Sequence, residues 1–126
     1  MMFTLAIRRK FVSQHYLIGG DWGAENAPHA HDYELELSIK AEQLDQHGYL
    51  IDIVKINEHL DDLIAKFEGV MLNVLPEFEG LNPSLERFSR ILCASLAKKI
   101  RTENLKSMEL TLWESDIAWA SYQLEF

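Results

Sequence analysis

His29 and His31 stand one residue apart at the head of an alternating stretch, HDYELELSIKAE. On an extended strand residues i and i+2 point to the same side, at about 3.3 Å of rise per residue, so both rings can converge on one ion. His15 offers a third imidazole at the end of an earlier apolar segment, and antiparallel pairing of the two segments would carry it to the same place. Three neutral imidazoles with a fourth position open make a catalytic zinc arrangement, in which the ion polarises oxygen or activates a bound water. A solvated strand face would place the same two histidines there, and spacing does not separate the two. Glu25, four residues before His29, sets a carboxylate beside the group. His47 and His59 read as surface residues.

The elements that must position these groups follow from periodicity. Residues 3–17 are rich in β-branched and aromatic types and read as a strand, broken by Gly19-Gly20-Asp21-Trp22-Gly23. In residues 31–42, Tyr33, Leu35, Leu37 and Ile39 share one face and Glu34, Glu36, Ser38 and Lys40 the other, which is the period of a half-buried strand. Gly48–Ile53 reads as a short extended piece after a turn at His47-Gly48. From Val54 the period changes, and Val54, Leu60, Leu63, Ile64 and Phe67 mark a helix to about Gly69. A second helix opens after Asn82-Pro83, with Ser84 and Glu86 in its first turn and Leu85, Phe88, Ile91, Leu92, Leu96 and Ile100 inward. Two strands close the chain, near Met108–Glu114 and Ile117–Leu124. The order strand, strand, helix, helix, strand, strand predicts an α+β domain spanning 1–126, a four-stranded antiparallel sheet covered on one face. Such a sheet has edges that need a partner.

Composition narrows the function classes. The chain has 126 residues, nearly half of them apolar, and a formal net charge of −8. That charge disfavours nucleic acid, whose affinity comes from clustered Lys and Arg; the only basic run, Arg8-Arg9-Lys10, alternates across a strand. One cysteine, Cys93, falls in the apolar pattern of the second helix and suits a reducing cytoplasm. No signal-peptide pattern or membrane-length apolar run is expected to direct the chain elsewhere.

The motifs taken in order resemble the 6-pyruvoyltetrahydropterin synthase and 6-carboxytetrahydropterin synthase family. Phe11-Val-Ser-Gln-His15 is similar to its Phe-x-Ala-Ala-His, and Pro28-His-Ala-His-Asp-Tyr33 to its Leu-His-Gly-His-x-Tyr. Gly48-Tyr-Leu-Ile-Asp52 resembles Gly-x-x-x-Asp, Leu72-Asn73 the Leu-Asn after the first helix, and Asn82-Pro-Ser-Leu-Glu86 its Asn-Pro-Thr-x-Glu. Glu114 and Tyr122 fall where the family has Glu-Thr and a late Tyr. The resemblance runs from Phe11 to Tyr122. It implies a tunnelling fold (T-fold) whose subunits join edge to edge into trimers that pair, with active sites between subunits. It also implies Zn2+ on His15, His29 and His31, and a pterin ring held by Glu114, whose carboxylate can accept two parallel N–H bonds. Ser84 stands where the family has Thr and is expected to contact the ring. Asp52 and Glu86 read as turn and helix-start residues.

Two departures fall on the proton machinery. The family carries a catalytic Cys four positions before the first His of His-x-His, and here that position is Glu25. Its relay Asp-His pair aligns with Glu68 and Gly69, so the relay histidine is absent. An ordinary Glu titrates near 4.3 and is a weaker base than a thiolate or imidazole. One branch of the family carries Glu in place of the Cys and releases 6-hydroxymethyl-7,8-dihydropterin. The resemblance therefore implies a zinc-dependent pterin lyase acting on 7,8-dihydroneopterin triphosphate or a close relative, with Glu25 as acid/base. The alternatives are pyruvoyl- or carboxy-tetrahydropterin synthesis with another relay residue, such as Glu68, or a pterin-binding homologue without catalysis.

Overall fold

The computed structural model describes residues 1–126. β1 (Phe3–His15) and β2 (His29–Ala41) pair antiparallel without interruption, from Phe3 opposite Ala41 to His15 opposite His29. Two helices follow, α1 (Ile53–Phe67) and α2 (Leu85–Lys99), and then β3 (Leu105–Trp113) and β4 (Trp119–Glu125). All neighbours are antiparallel and the sheet order is β1-β2-β3-β4, so β1 and β4 are its edges.

Strand alternation becomes one dry face. Tyr33, Leu35, Leu37, Ile39 and Ala41 of β2 are buried, as are Met108, Leu110 and Leu112 of β3 opposite them. The helices cover that face, α2 over β3 and β4 and α1 toward β1. The Asp52 carboxylate accepts the Val54 N–H at 3.0 Å and starts α1; Ser84 Oγ accepts the Arg87 N–H at 3.2 Å and starts α2. Phe88 of α2 lies at the centre of an aromatic cluster, 5.2 to 5.8 Å between ring centroids from Phe67, Tyr33, Phe78 and Phe11. This cluster floors the end of the sheet where the histidines lie. Cys93 is buried in the core, and burial pushes its thiol up to about 11.

The structure differs from the sequence expectations in four places. Residues 48–53 form no strand: Asp45 Oδ1 accepts the N–H groups of His47 and Tyr49, and Gly48 takes a left-handed φ of 85°, which folds the segment into turns. Val54 is exposed, and Ile56 takes the inward place with Leu60 and Phe67, because a helix beginning at Ile53 turns that stripe to the sheet. β4 starts at Trp119 rather than Ile117, since the Glu114 N–H bonds to the Ala118 carbonyl and leaves Ile117 at the hairpin tip. β1 ends at His15; beyond it the extended backbone pairs with side chains. Asn73 accepts from the Tyr16 N–H and donates to the Tyr16 carbonyl (3.0 and 2.8 Å), and Asn82 does the same at Ile18 (2.7 and 3.1 Å).

Candidate metal centre and adjoining cleft

The last pair of the β1–β2 ladder is His15 opposite His29, and His31 lies two pairs further in, on the same face, opposite Ser13. The strand period thus delivers three imidazoles to one point, with ring centroids 4.5, 4.7 and 4.9 Å apart. One ring nitrogen from each lies within 4.8 Å of the others.

The hydrogen bonds leave those nitrogens free. The Ala27 carbonyl lies 2.8 Å from His29 Nδ1, so Nδ1 carries the proton and Nε2 keeps its lone pair. His29 Nε2 is buried and has no hydrogen-bond partner, a costly state for a polar atom unless something fills it. His15 Nδ1 meets the Tyr33 hydroxyl at 3.1 Å. When Nδ1 carries the proton and donates to Tyr33 Oη, His15 also turns a bare Nε2 inward. A partner on the second ring nitrogen is what fixes the tautomer of a metal-binding histidine. The donor set therefore fits a divalent ion of the zinc type. Burial, with the added charges of His31 and His29, holds the His15 imidazole down to about 4, so this ring is neutral at pH 7 and its lone pair is available.

A cleft of about 740 Å³ opens beside the cluster, and its walls include His31, Tyr33, Glu68, Trp113 and Glu114. Glu114 follows the end of β3, and its carboxylate has no hydrogen-bond or ion-pair partner from this chain. Burial, and then the negative charge of Glu114, push the Tyr33 hydroxyl well above its ordinary range, so it stays protonated. Tyr33 thus touches the histidine cluster through His15 and lines the same cleft as Glu114. Arg8 stacks over Trp113, 5.2 Å from the ring centroid, and steadies that wall.

A model of the family described as 6-pyruvoyl tetrahydropterin synthase matches residues 4–125. The chain belongs to that family. Solved 6-pyruvoyl tetrahydropterin synthases share the fold at low identity. The Caenorhabditis elegans structure superposes with a TM-score of 0.85 at 17% identity, covering 99% of this chain and 97% of that one. For the Plasmodium vivax structure the values are 0.82 and 16%, covering 100% and 99%. A second P. vivax structure, described as a catalytic-residue mutant in which a glutamate is replaced by alanine, gives a TM-score of 0.82 at 14% identity over the same shares. A search of curated proteins finds no match for the sequence.

Against this family frame the expected residues separate into groups. His15, His29 and His31 come together, and His31 and Glu114 share the cleft. Glu25 lies on a single 3-10 turn, Gly23–Asn26, exposed and outside the lining of that cleft. Its backbone is fixed, the Glu25 carbonyl accepting from the Leu17 N–H at 2.9 Å, while its carboxylate has no partner in this chain. Ser84 is the N-cap of α2 and also lies outside the lining. Glu68, the C-cap residue of α1, does line the cleft, and its Oε2 accepts the Val12 N–H at 3.0 Å.

Sequence reasoning missed the contact of the Tyr33 hydroxyl with His15, since alternation assigns Tyr33 to the core alone. It also missed the asparagines. Asn73 and Asn82 clasp the chain leaving His15, and Asn26 Nδ2 donates to the carbonyls of Leu17 and Gly20 (3.1 and 3.0 Å) while its Oδ1 accepts the Trp22 N–H. Two of the three sit in quoted family motifs, Leu72-Asn73 and Asn82-Pro83, and that was the signal available.

Proposed function

We propose that this chain is a zinc-dependent pterin lyase that cleaves the side chain of 7,8-dihydroneopterin triphosphate or a close relative and releases 6-hydroxymethyl-7,8-dihydropterin. The observation that carries this is the three-histidine cluster with an orphaned, buried Nε2, set against a cleft that contains an unpaired carboxylate. His15, His29 and His31 would hold Zn2+, which when bound supplies a Lewis acid for the side-chain oxygens of the substrate. Glu114 would accept the paired N–H groups of the pterin edge. Ser84 Oγ already accepts from Arg87 outside this chain's cleft, so its O–H would donate to a ring held in the site of a neighbouring subunit.

Glu25 would take and return the proton. Its free carboxylate and fixed backbone suit a group that acts across a subunit boundary, and the unpaired edges of β1 and β4 suit assembly into a trimer or hexamer. Packing against a neighbour would shelter the carboxylate and raise its pKa toward that of a useful base. The P. vivax protein, in which a glutamate is described as a catalytic residue, supports a glutamate in this role.

One observation favours a second enzyme reading. Glu68, not Glu25, lines the cleft with His31, which suits pyruvoyl- or carboxy-tetrahydropterin synthesis with Glu68 moving the proton. Metal analysis of the purified chain and identification of the product from dihydroneopterin triphosphate decide among these. A 6-hydroxymethyl product supports the lyase, and a 6-pyruvoyl or 6-carboxy product the synthase. Zinc and pterin binding without turnover would leave a binding protein, and a chain that takes up no zinc would remove the metal site.

A further inference from the structure

A second cleft lies at the opposite end of the molecule. The histidines stand where β1 ends and β2 begins, whereas this cleft is built from the start of α1, the end of α2 and the loops beside them. α1 runs from this cleft back to the histidine end, where the Phe67 carbonyl accepts from Ser13, so its fifteen residues separate the two sites by on the order of 20 Å. The volume of the second cleft is about 460 Å³, within the range of roughly 300–1,000 Å³ of small-molecule sites.

The charge of this cleft runs against that of the chain. Lys55, Lys99 and Arg101 line it, with His59 between them, in a protein of net charge −8. The ion pairs of the molecule are Arg8–Glu36, Arg9–Asp61 and Lys66–Glu77, so none of these three cations is neutralised. Two acids, Asp45 and Asp52, also line the cleft, each with Oδ1 on backbone N–H groups (Asp45 at His47 and Tyr49, Asp52 at Val54), and three cations against two carboxylates leave the lining one positive charge in excess. Arg101 rests over the Phe126 ring at 4.8 Å, which holds the guanidinium in place while leaving its N–H edge open. Between the cations the floor is apolar, with Ile51 open to the cleft and Leu50, Ile56 and Ile100 buried beneath it.

Three unpaired cations over an apolar floor call for a ligand with an anionic head and a flat or aliphatic body. An extended polyanion would need a longer basic track, which the acidic remainder of the surface does not offer. We propose that this cleft binds a small phosphate monoester bearing an apolar or aromatic group. The phosphate oxygens take charge-assisted bonds from Lys55, Lys99 and Arg101, and the organic part lies on Ile51.

The test is an NMR titration of the full chain, with its metal content measured, against phenyl phosphate, inorganic phosphate and benzyl alcohol. Phenyl phosphate should give saturable shifts at the amides of Lys55, Ile56, Arg101 and Thr102, with inorganic phosphate weaker and benzyl alcohol giving none. The double variant Lys55→Gln, Arg101→Gln should lose at least tenfold in affinity with metal content unchanged. Shifts confined to His29, His31 and Glu114, an affinity equal in the double variant, or no saturation in the millimolar range would each overturn the proposal.

Discussion

His15 makes the metal-free protein sensitive to mild acid, and the effect has a calculable size. Folding lowers its imidazole from the ordinary 6.5 to about 4, first by burial and then by the neighbouring histidines. At pH 7 the side chain is neutral in both states and contributes nothing to the pH slope. Below 6.5 the unfolded chain takes up a proton that the folded chain refuses, so stability falls as pH falls and levels off below about 4. The shift corresponds to about 3 kcal/mol in full, of which about 2.5 kcal/mol develops between pH 7 and 4.5. With a urea slope of about 1–3 kcal/mol per molar, the unfolding midpoint should drop by on the order of 1 M or more. The assay is urea unfolding at both pH values, with chelator present and protein concentration fixed. His15→Asn serves as the reference, since it keeps an N–H that can reach Tyr33 and lacks the titrating ring. Subtracting the variant removes the carboxylates common to both proteins. Midpoints that fall in parallel for the two proteins would refute the assignment of the acid sensitivity to this ring.

Four further outcomes follow from the geometry. Glu25→Gln should reduce turnover by roughly 10²–10⁴-fold with zinc content unchanged, the range of a lost general acid or base; unchanged turnover in a steady-state assay would leave Glu25 a loop residue. Glu114→Gln should weaken pterin binding by roughly 10–100-fold in fluorescence titration, because one charged acceptor of a paired bond is lost. Asn82→Ala leaves the N–H and carbonyl of Ile18 without their partners and should cost about 1–3 kcal/mol in urea unfolding, with faster amide exchange at Ile18. Removing zinc from protein held at about a hundredfold excess over its dissociation constant should cost about 2.7 kcal/mol and lower Tm by on the order of 10 °C in a thermal scan.

Much of the fold was legible because one physical signal repeats. The alternation of Tyr33, Leu35, Leu37 and Ile39 identifies both β2 and its dry face, and Ser84 after Asn82-Pro83 marks the start of α2. The histidine cluster was legible for the same reason, since a two-residue period brings His29 and His31 together once β1 and β2 pair. Residues 48–53 were misread because Asp45 and Gly48 impose turns on an apolar segment whose composition also suits a strand. The hydroxyl contact of Tyr33 was hidden, because burial and a bond to His15 leave the same mark in a sequence: one aromatic residue at an inward position. Glu25 could be seen as a substitution in a motif, but its place relative to the cleft depends on how loops fold and chains assemble, which no periodicity encodes.

The long β1–β2 hairpin ends in the pair His15 and His29, with residues 16–28 as the loop beyond it. Three asparagines lash that loop to its surroundings, while the three histidines stay on the strands. Such a layout divides labour between two parts of the chain that can change separately. On the proposed reading, the ladder register would keep the seat of the ion constant, and the loop could exchange the proposed acid/base for another side chain without disturbing it. A scaffold of this kind can change its chemistry by editing a single tethered turn, and Glu25 stands on that turn.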